Sequence, residues 1–297
     1  MTRLRLAPRL RLALAQYPID KLRGLDDFEV KLNDIVESAK EDGADLLVLP
    51  EYAAMELAAA FTHAADAVSE REAIVARADV IVEVMRETAR RHRLWLLGGS
   101  VPMLRDGAVR NRAPLISAQG RVVFQEKRVM TRFETEEWQV SAGEEPAVFD
   151  TPWGRIGIAI CYDVEFPMLV RAQVEAGAWL ILAPSCTDTV WGFNRVHLSA
   201  RARAIENQCF VAVAPTVGDA PWSATLDRNR GFAGVFGPCD RGFPEDGVIT
   251  RGQMDEPGLV FAELDPALLE AVRQDGGVRN HRDWPAHPAG CRIATPA

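Results

Sequence analysis

The chain reads as a single α/β domain built of layered sheets and helices. Two observations predict this. Short apolar β-runs and amphipathic helix-like stretches alternate along nearly the whole length, the pattern of a layered α/β fold. No low-complexity or Pro/Gly/Ser-rich linker divides the 297 residues, so residues 8–280 are taken as one domain. Residues 281–297, with Pro285, Pro288 and Pro296, read as an irregular C-terminal tail suited to packing on a partner subunit.

The elements follow in order. Leu10–Ala15 is an apolar strand, and Asp26–Asp42 is a helix with Phe28, Val30, Ile35 and Val36, stopped by Gly43. Leu46–Leu49 is a short buried strand ended by Pro50. A helix over Ala73–His92 precedes a strand over Leu94–Gly98. Arg112–Ser117 and Arg121–Gln125 flank Ala118-Gln119-Gly120 as a hairpin. Ala147–Phe149 and Ile156–Ile160 are strands separated by a Pro-Trp-Gly turn, and a helix over Met168–Ala178 follows. Strand Trp179–Ala183, helix Asn194–Asn207 and strand Phe210–Ala214 come next. Strands Phe232–Phe236 and Leu259–Glu263 and helix Pro266–Gln274 complete the pattern.

Composition narrows the function classes. Hydrophobic residues are 48% and charged residues 26%, enough for a sizeable core in a soluble globular protein. The formal net charge of −8 argues against nucleic acid as a partner. Arg3, Arg5, Arg9 and Arg11 interrupt what would be the apolar region of a signal peptide, and no segment has the length of a membrane helix. A cytoplasmic protein without membrane contact is expected. Five scattered cysteines without a C-x-x-C pair, and five histidines without paired spacing, disfavour a disulfide framework and a metal site, and the acyl-transfer reading below expects no cofactor.

Three short buried strands each end in a chemically capable residue. Leu46–Pro50 leads to Glu51, Val122–Glu126 to Lys127, and Ile156–Ile160 to Cys161. In layered α/β folds such strand ends line a common crevice. A thiol is mostly protonated at pH 7 and needs a base; a buried glutamate with a raised pKa is one. The tetrahedral oxyanion that follows needs donors, here an ammonium and a backbone amide such as that of Tyr162. Only four of the 34 basic residues are lysine. Lys21, Lys31 and Lys40 lie around the first helix and are expected to be solvated. Lys127 stands alone in the rest of the chain, where a compact point charge does what arginine cannot. The bland readings are an inert buried cysteine, a helix-start carboxylate and a hairpin-end surface charge. Cys209, on an apolar strand, fits the inert reading.

Taken together, Leu-Val-Leu-Pro-Glu51, Phe-Gln-Glu-Lys127-Arg and Ile-Ala-Ile-Cys161-Tyr-Asp-Val-Glu-Phe-Pro resemble the motifs of the nitrilase superfamily, the carbon–nitrogen hydrolases. The likeness continues through Ala183-Pro-Ser-Cys and Arg201-Ala-Arg-Ala-Ile-Glu-Asn-Gln-Cys-Phe-Val, in order, over residues 10–265. The resemblance implies a four-layer αββα sandwich and a Glu–Lys–Cys triad on Glu51, Lys127 and Cys161. It implies hydrolysis of a small-molecule amide, with nitrile or N-carbamoyl substrates as alternatives, through a thioester. It also implies a homodimer or higher homo-oligomer. The family often adds a second glutamate between the lysine and the cysteine. Glu134, Glu136 and Glu137 compete for that place, and counting back from Gly143 favours Glu136. Ser185–Phe193, with Cys186 and Trp191, is read as a pocket wall or as an ordinary loop with Asp188 or Thr189 at a helix cap. Many amidases of the family carry Arg-Phe where this chain has Glu165-Phe166; Glu165 is expected to hold a nearby arginine, with Arg195, Arg201 and Arg203 available, and a preference for a neutral or amine-bearing substrate is the alternative. Two other readings remain: a Cys–His hydrolase, and a non-catalytic binding protein on the same fold.

Overall fold

The computed structural model describes residues 8–64 and 66–284. Its strands and helices in chain order are β1 (Leu10–Pro18), α1 (Leu25–Glu41), β2 (Leu46–Leu49), α2 (Ala58–Phe61), α3 (Ala67–Val75), α4 (Ala78–His92), β3 (Trp95–Gly98), β4 (Val101–Arg105), β5 (Ala108–Ile116), β6 (Val122–Glu126) and α5 (Arg132–Glu136). The second half contains β7 (Val148–Thr151), β8 (Gly154–Ile158), α6 (Pro167–Glu175), β9 (Leu180–Ser185), α7 (Val190–Asn207) and β10 (Phe210–Asp219). It closes with β11 (Arg228–Asn229), β12 (Gly234–Phe236), β13 (Val248–Arg251), β14 (Gly258–Leu264), α8 (Pro266–Asp275) and α9 (Asn280–Asp283).

Two strand systems form the middle of the domain. In one, β1 pairs in parallel with β2, and β2 with β3; β14 runs antiparallel on the other side of β1. Strand β5 pairs antiparallel with β3, β4 and β6. In the other, β8, β9 and β10 are parallel, with β7 antiparallel to β8 and β12 antiparallel to β10. The end of β1 joins the two systems by pairing Tyr17 and Pro18 with Thr216 and Val217 of β10.

Side-chain alternation along β1 shows how the layers stack. Leu10, Leu12 and Leu14 enter one core with Ile156, Ile158, Leu180 and Leu182, so the two sheets meet face to face. Ala13, Ala15 and Tyr17 enter a second core with Phe28, Leu32 and Val36 of α1 and Ile81 and Met85 of α4. Helices α6 and α7 cover the far sheet through Val170, Val174, Val196 and Ala200. The order is helix, sheet, sheet, helix: the expected αββα sandwich.

Most expected elements stand, with boundary shifts of a few residues. The single helix expected over Ala73–His92 is two, α3 and α4. It breaks at Arg77, whose backbone leaves the helical region and whose guanidinium lies 4.3 Å from the centre of the Phe61 ring. Strand β4 and the first half of β5 were not foreseen. The first residues of the expected tail form α9, where the His281 carbonyl accepts from Arg171; residues 285–297 lie outside the described residues. Lys31 is not solvated: its ammonium pairs with Glu56 at 2.8 Å and Asp20 at 2.7 Å. Among the described residues no helix is long and apolar enough to cross a membrane.

Candidate active site

Three strand ends deliver Glu51, Lys127 and Cys161 to one buried point. The all-apolar β2 stops at Pro50, and Glu51 follows, buried. Gly99 packs over this bend. A Cβ there would sit 1.9 Å from the Pro50 carbonyl oxygen, so no other residue fits. Lys127 follows β6 and is 1% exposed. Its amide donates to the Asn111 carbonyl, and its own carbonyl accepts from Gly143, each at 2.8 Å. Gly143 is required here too, because a Cβ would lie 2.3 Å from that of Glu126.

Cys161 sits three residues beyond the end of β8, at the start of a 3₁₀ turn, Cys161–Glu165. Its φ of +48° is left-handed, a conformation that costs a non-glycine residue on the order of 1–3 kcal/mol. The turn is held from outside: the Asp163 carboxylate accepts from the amides of Arg128 (3.0 Å) and Val129 (2.8 Å). This ties the cysteine turn to the segment that carries Lys127. Burial pushes the Asp163 carboxyl up to about 6, against the pull of those amides and Lys127.

The charged network is compact. Lys127 Nζ donates to Glu51 Oε1 and to Glu134 Oε2, each at 2.7 Å. Asn111 Nδ2 donates to Glu51 Oε1 at 3.0 Å and to Glu134 Oε1 at 3.3 Å. The Tyr52 hydroxyl donates to Glu134 Oε1 at 2.6 Å. The Cys186 backbone bonds both Glu51 and the thiol. Its amide donates to Glu51 Oε2 at 3.2 Å, and its carbonyl accepts from Cys161 Sγ at 3.6 Å.

Environment sets the protonation states. Burial raises the Cys161 thiol well above its ordinary value, the Glu51 carboxylate adds to this, and Lys127 only partly offsets both. Burial also raises Glu51, outweighing the nearby ammonium. Burial alone would lower Lys127, but the Glu134 and Glu51 carboxylates hold it well above the usual range. The resting site therefore holds a neutral thiol and a firmly charged lysine, with a Glu51 carboxyl whose hold on a proton burial strengthens.

The second buried glutamate is Glu134, not the favoured Glu136. Glu136 lies on the solvent side of α5, in an i,i+4 ion pair with Arg132 at 2.9 Å. Glu134 is turned inward by a capping box with Thr131, whose amide donates to its Oε2 at 2.9 Å. A Thr-x-x-Glu pattern, Thr131 to Glu134, was the signal in the sequence that identifies it. Glu137 is likewise absent from the cavity lining. Asn111 and Tyr52 also went unforeseen. Trp191 is not a cavity residue: it is 78% exposed on the first turn of α7, which Thr189 caps. Cys186 and Tyr162 do line the cavity.

That cavity, about 590 Å³, is floored by Glu51, Lys127 and Cys161 and suits a small molecule. Glu165 lies at its side, 3.6 Å from the Arg195 guanidinium. Among the described residues no histidine lines it; His197 is packed in a box of Phe193, Phe232 and Phe236. The Cys–His reading therefore finds no base at the thiol. Among the described residues no three His, Cys, Asp or Glu side chains are grouped to hold a metal ion.

The carbon–nitrogen hydrolase family model matches residues 11–274. The chain belongs to that family. Among relatives of this hydrolase, a probable hydrolase, YhcX, of Bacillus subtilis is 30% identical over 274 residues, which cover 92% of this chain. The chain spans only about half of that relative, 53% of its length. The omega-amidase NIT2 of Danio rerio is 26% identical, with 92% of this chain and 95% of that one covered. A point mutant of the amidase from Nesterenkonia sp. AN1 superposes with a TM-score of 0.66 and 26% identity, covering 93% of this chain and 96% of that one. That structure shows the acetamide moiety of fluoroacetamide added covalently at the active site cysteine. In fold, the hydrolase also matches Saccharomyces cerevisiae Nit3, with a TM-score of 0.73 and 91% of this chain covered.

Proposed function

We propose that the protein hydrolyses the amide bond of a small molecule, with Cys161 as nucleophile, Glu51 as base and Lys127 as oxyanion donor. The observation that carries this reading is that Cys161 shares the cavity floor with the hydrogen-bonded Lys127–Glu51 pair, with the Cys186 backbone bonded to both the thiol and Glu51. The amide preference is supported by the amidases among the relatives.

The steps follow from the protonation states. The Cys161 proton passes to Glu51 as sulfur bonds to the amide carbon, and the carbonyl π electrons move onto oxygen. Lys127 and the Tyr162 amide, at the open start of the 3₁₀ turn, receive that oxyanion. The carbon–nitrogen bond then breaks, and the leaving nitrogen takes the proton from Glu51. Ammonia or an amine departs, leaving a thioester. Glu51 next removes a proton from water, whose oxygen attacks the thioester. The carboxylic acid leaves and Cys161 regains its proton. An ammonia-release screen over amides, nitriles and carbamoyl compounds tests the reading; release from nitriles alone would overturn the amide assignment.

Glu134 acts as a positioning residue, holding the Lys127 ammonium against Glu51. Glu134→Gln is expected to lower kcat by roughly 10²-fold, the worth of about one charge-assisted hydrogen bond. Glu136→Gln is expected to stay within about twofold, as for an exposed ion pair. Equal effects from the two would remove Glu134 from this role.

The hydrolase is also proposed to form a homodimer or higher homo-oligomer through the α6–α7 face. Met168 on α6 and Trp191 and Leu198 on α7 are largely exposed, and burying them is what such an interface would gain. Trp191→Glu is expected to shift the sedimenting species toward monomer; an unchanged oligomer would place the interface elsewhere.

A further inference from the structure

Two consecutive buried residues of α3, remote in sequence from every motif above, hold two walls of the cavity. Glu70 is 2% exposed. Its carboxylate accepts from the Ser223 hydroxyl (2.9 Å), the Ala224 amide (2.8 Å), the Thr225 amide (3.0 Å) and the Thr225 hydroxyl. Among the described residues no cation pairs with it, so every donor it has comes from one short stretch of chain. That stretch runs directly into Ala224–Arg228, which lines the cavity. The same loop is closed by Ala220 donating to the Asp227 carbonyl at 2.9 Å, and Ser223 Oγ accepts from the Leu226 amide at 3.0 Å. The neighbour, Arg71, donates to the Trp138 carbonyl. Trp138 also lines the cavity and meets the Tyr52 ring edge-on at 5.0 Å.

We propose that Glu70 is a specificity-determining positioning residue: it fixes the Ala224–Arg228 segment as a substrate-facing wall of the nucleophile's cavity. The proposal rests on the amidase reading for what the wall contacts, but not for its geometry. A buried carboxylate without a counter-ion is costly unless its donors are complete. Four donors from one loop make the loop's position and the carboxylate's solvation the same event. The loop presents Thr225, Asp227 and Arg228 to the cavity, so its placement decides which acyl or amine groups fit, while Glu51, Lys127 and Cys161 sit on separate strand ends. Loss of Glu70 should therefore change selection among substrates without changing the chemistry of the thiol.

The test compares Glu70→Ala and Glu70→Gln with the wild type, and Thr225→Val as a change from the loop side. Gln keeps the shape but sets an amide N–H₂ against donors. For the best amide of the screen, KM is expected to rise about tenfold in Glu70→Ala and less in the other two, with kcat kept within about threefold. Labelling of Cys161 by iodoacetamide and by bulky N-phenyl iodoacetamide is measured in parallel. The small reagent should react at the wild-type rate, and the preference for it over the bulky one should shrink at least fivefold. An unchanged preference in folded Glu70→Ala overturns the inference whether or not amides are turned over. Absence of amide turnover in the wild type, with the labelling shift intact, would instead remove only the amidase reading. A matched fall in kcat and in iodoacetamide rate, with KM constant, would assign Glu70 to the nucleophile and also overturn it.

Discussion

Replacing Lys127 with alanine is expected to destabilise the protein by about 3–5 kcal/mol at neutral pH, the usual cost of removing one partner from a buried charge cluster. The ammonium is fully enclosed and bonded to two carboxylates at 2.7 Å. Without it, Glu51 and Glu134 face each other across a hole, sharing only the Asn111 amide. Two carboxylates so placed cannot both ionise, and one takes up a proton. This gives the defect a pH signature. In the wild type Glu134 is held below its ordinary range: burial opposes this, but Lys127, Tyr52 and Thr131 outweigh it. Its contribution to stability is present above the unfolded value of about 4.3 and is lost only below it. In the variant the carboxyl that takes up the proton titrates above that unfolded value, so the folded state binds a proton that the unfolded state releases. Acidification from pH 8 toward pH 5 should then stabilise the variant relative to the wild type, and the gap between their denaturation midpoints should narrow. Activity falls for two reasons: an oxyanion donor is gone, worth about 10²–10³ in kcat, and the protonated Glu51 no longer acts as base. A variant with wild-type stability at pH 8 and a tenth of the wild-type kcat would sink this account of the cluster.

How far the sequence reveals the molecule depends on what kind of signal each part needed. The alternation of helices and strands is local: Gly43 and Pro50 punctuate α1 and β2 where expected. The convergence of Glu51, Lys127 and Cys161 is non-local. It could be expected only because each ends an apolar strand and because the motifs occur in the family's order. Strand β4 escaped because Pro102 and the exposed Leu104 and Arg105 break its pattern, which an edge strand tolerates. The α3–α4 break escaped because no Gly or Pro marks Ala76-Arg77; what accompanies it is Arg77 packing on Phe61, a tertiary contact. Lys31 was misjudged because its partners, Asp20 and the buried Glu56, lie on other elements. Glu134 could have been found. Counting back from Gly143 measures spacing, which loops vary freely, whereas the capping box with Thr131 fixes direction. Glu70 could not have been found, since its four donors lie some 150 residues away along the chain.

Cys161→Ala is expected to abolish turnover, by roughly 10⁴-fold or more in kcat, and to eliminate any acyl adduct, while changing stability by no more than about 1 kcal/mol. Position alone does not single this thiol out, because Cys186 lines the same cavity. What separates them is the partner. The Cys186 thiol is turned toward Asn229 Oδ1 at 3.7 Å, and burial pushes it up to about 12. Cys209 is buried and likewise raised to about 12, chiefly by burial. The Cys161 thiol, also raised, feels the Glu51 charge and shares the Cys186 backbone with that carboxylate, so its proton has somewhere to go as the carbon–sulfur bond forms. The thiolate is then a feature of the transition state rather than of the resting enzyme. A substrate whose carbonyl oxygen reaches Lys127 lowers the cost of that proton transfer, and a reagent with no such oxygen does not. Acetamide-bearing halides should therefore modify Cys161 much faster than alkyl halides of equal intrinsic reactivity, and the difference should vanish in Glu51→Leu. Intact-mass and peptide analysis of substrate-quenched enzyme should place the adduct on Cys161 alone; an adduct on Cys186, or turnover surviving in Cys161→Ala, would reverse the assignment of the nucleophile.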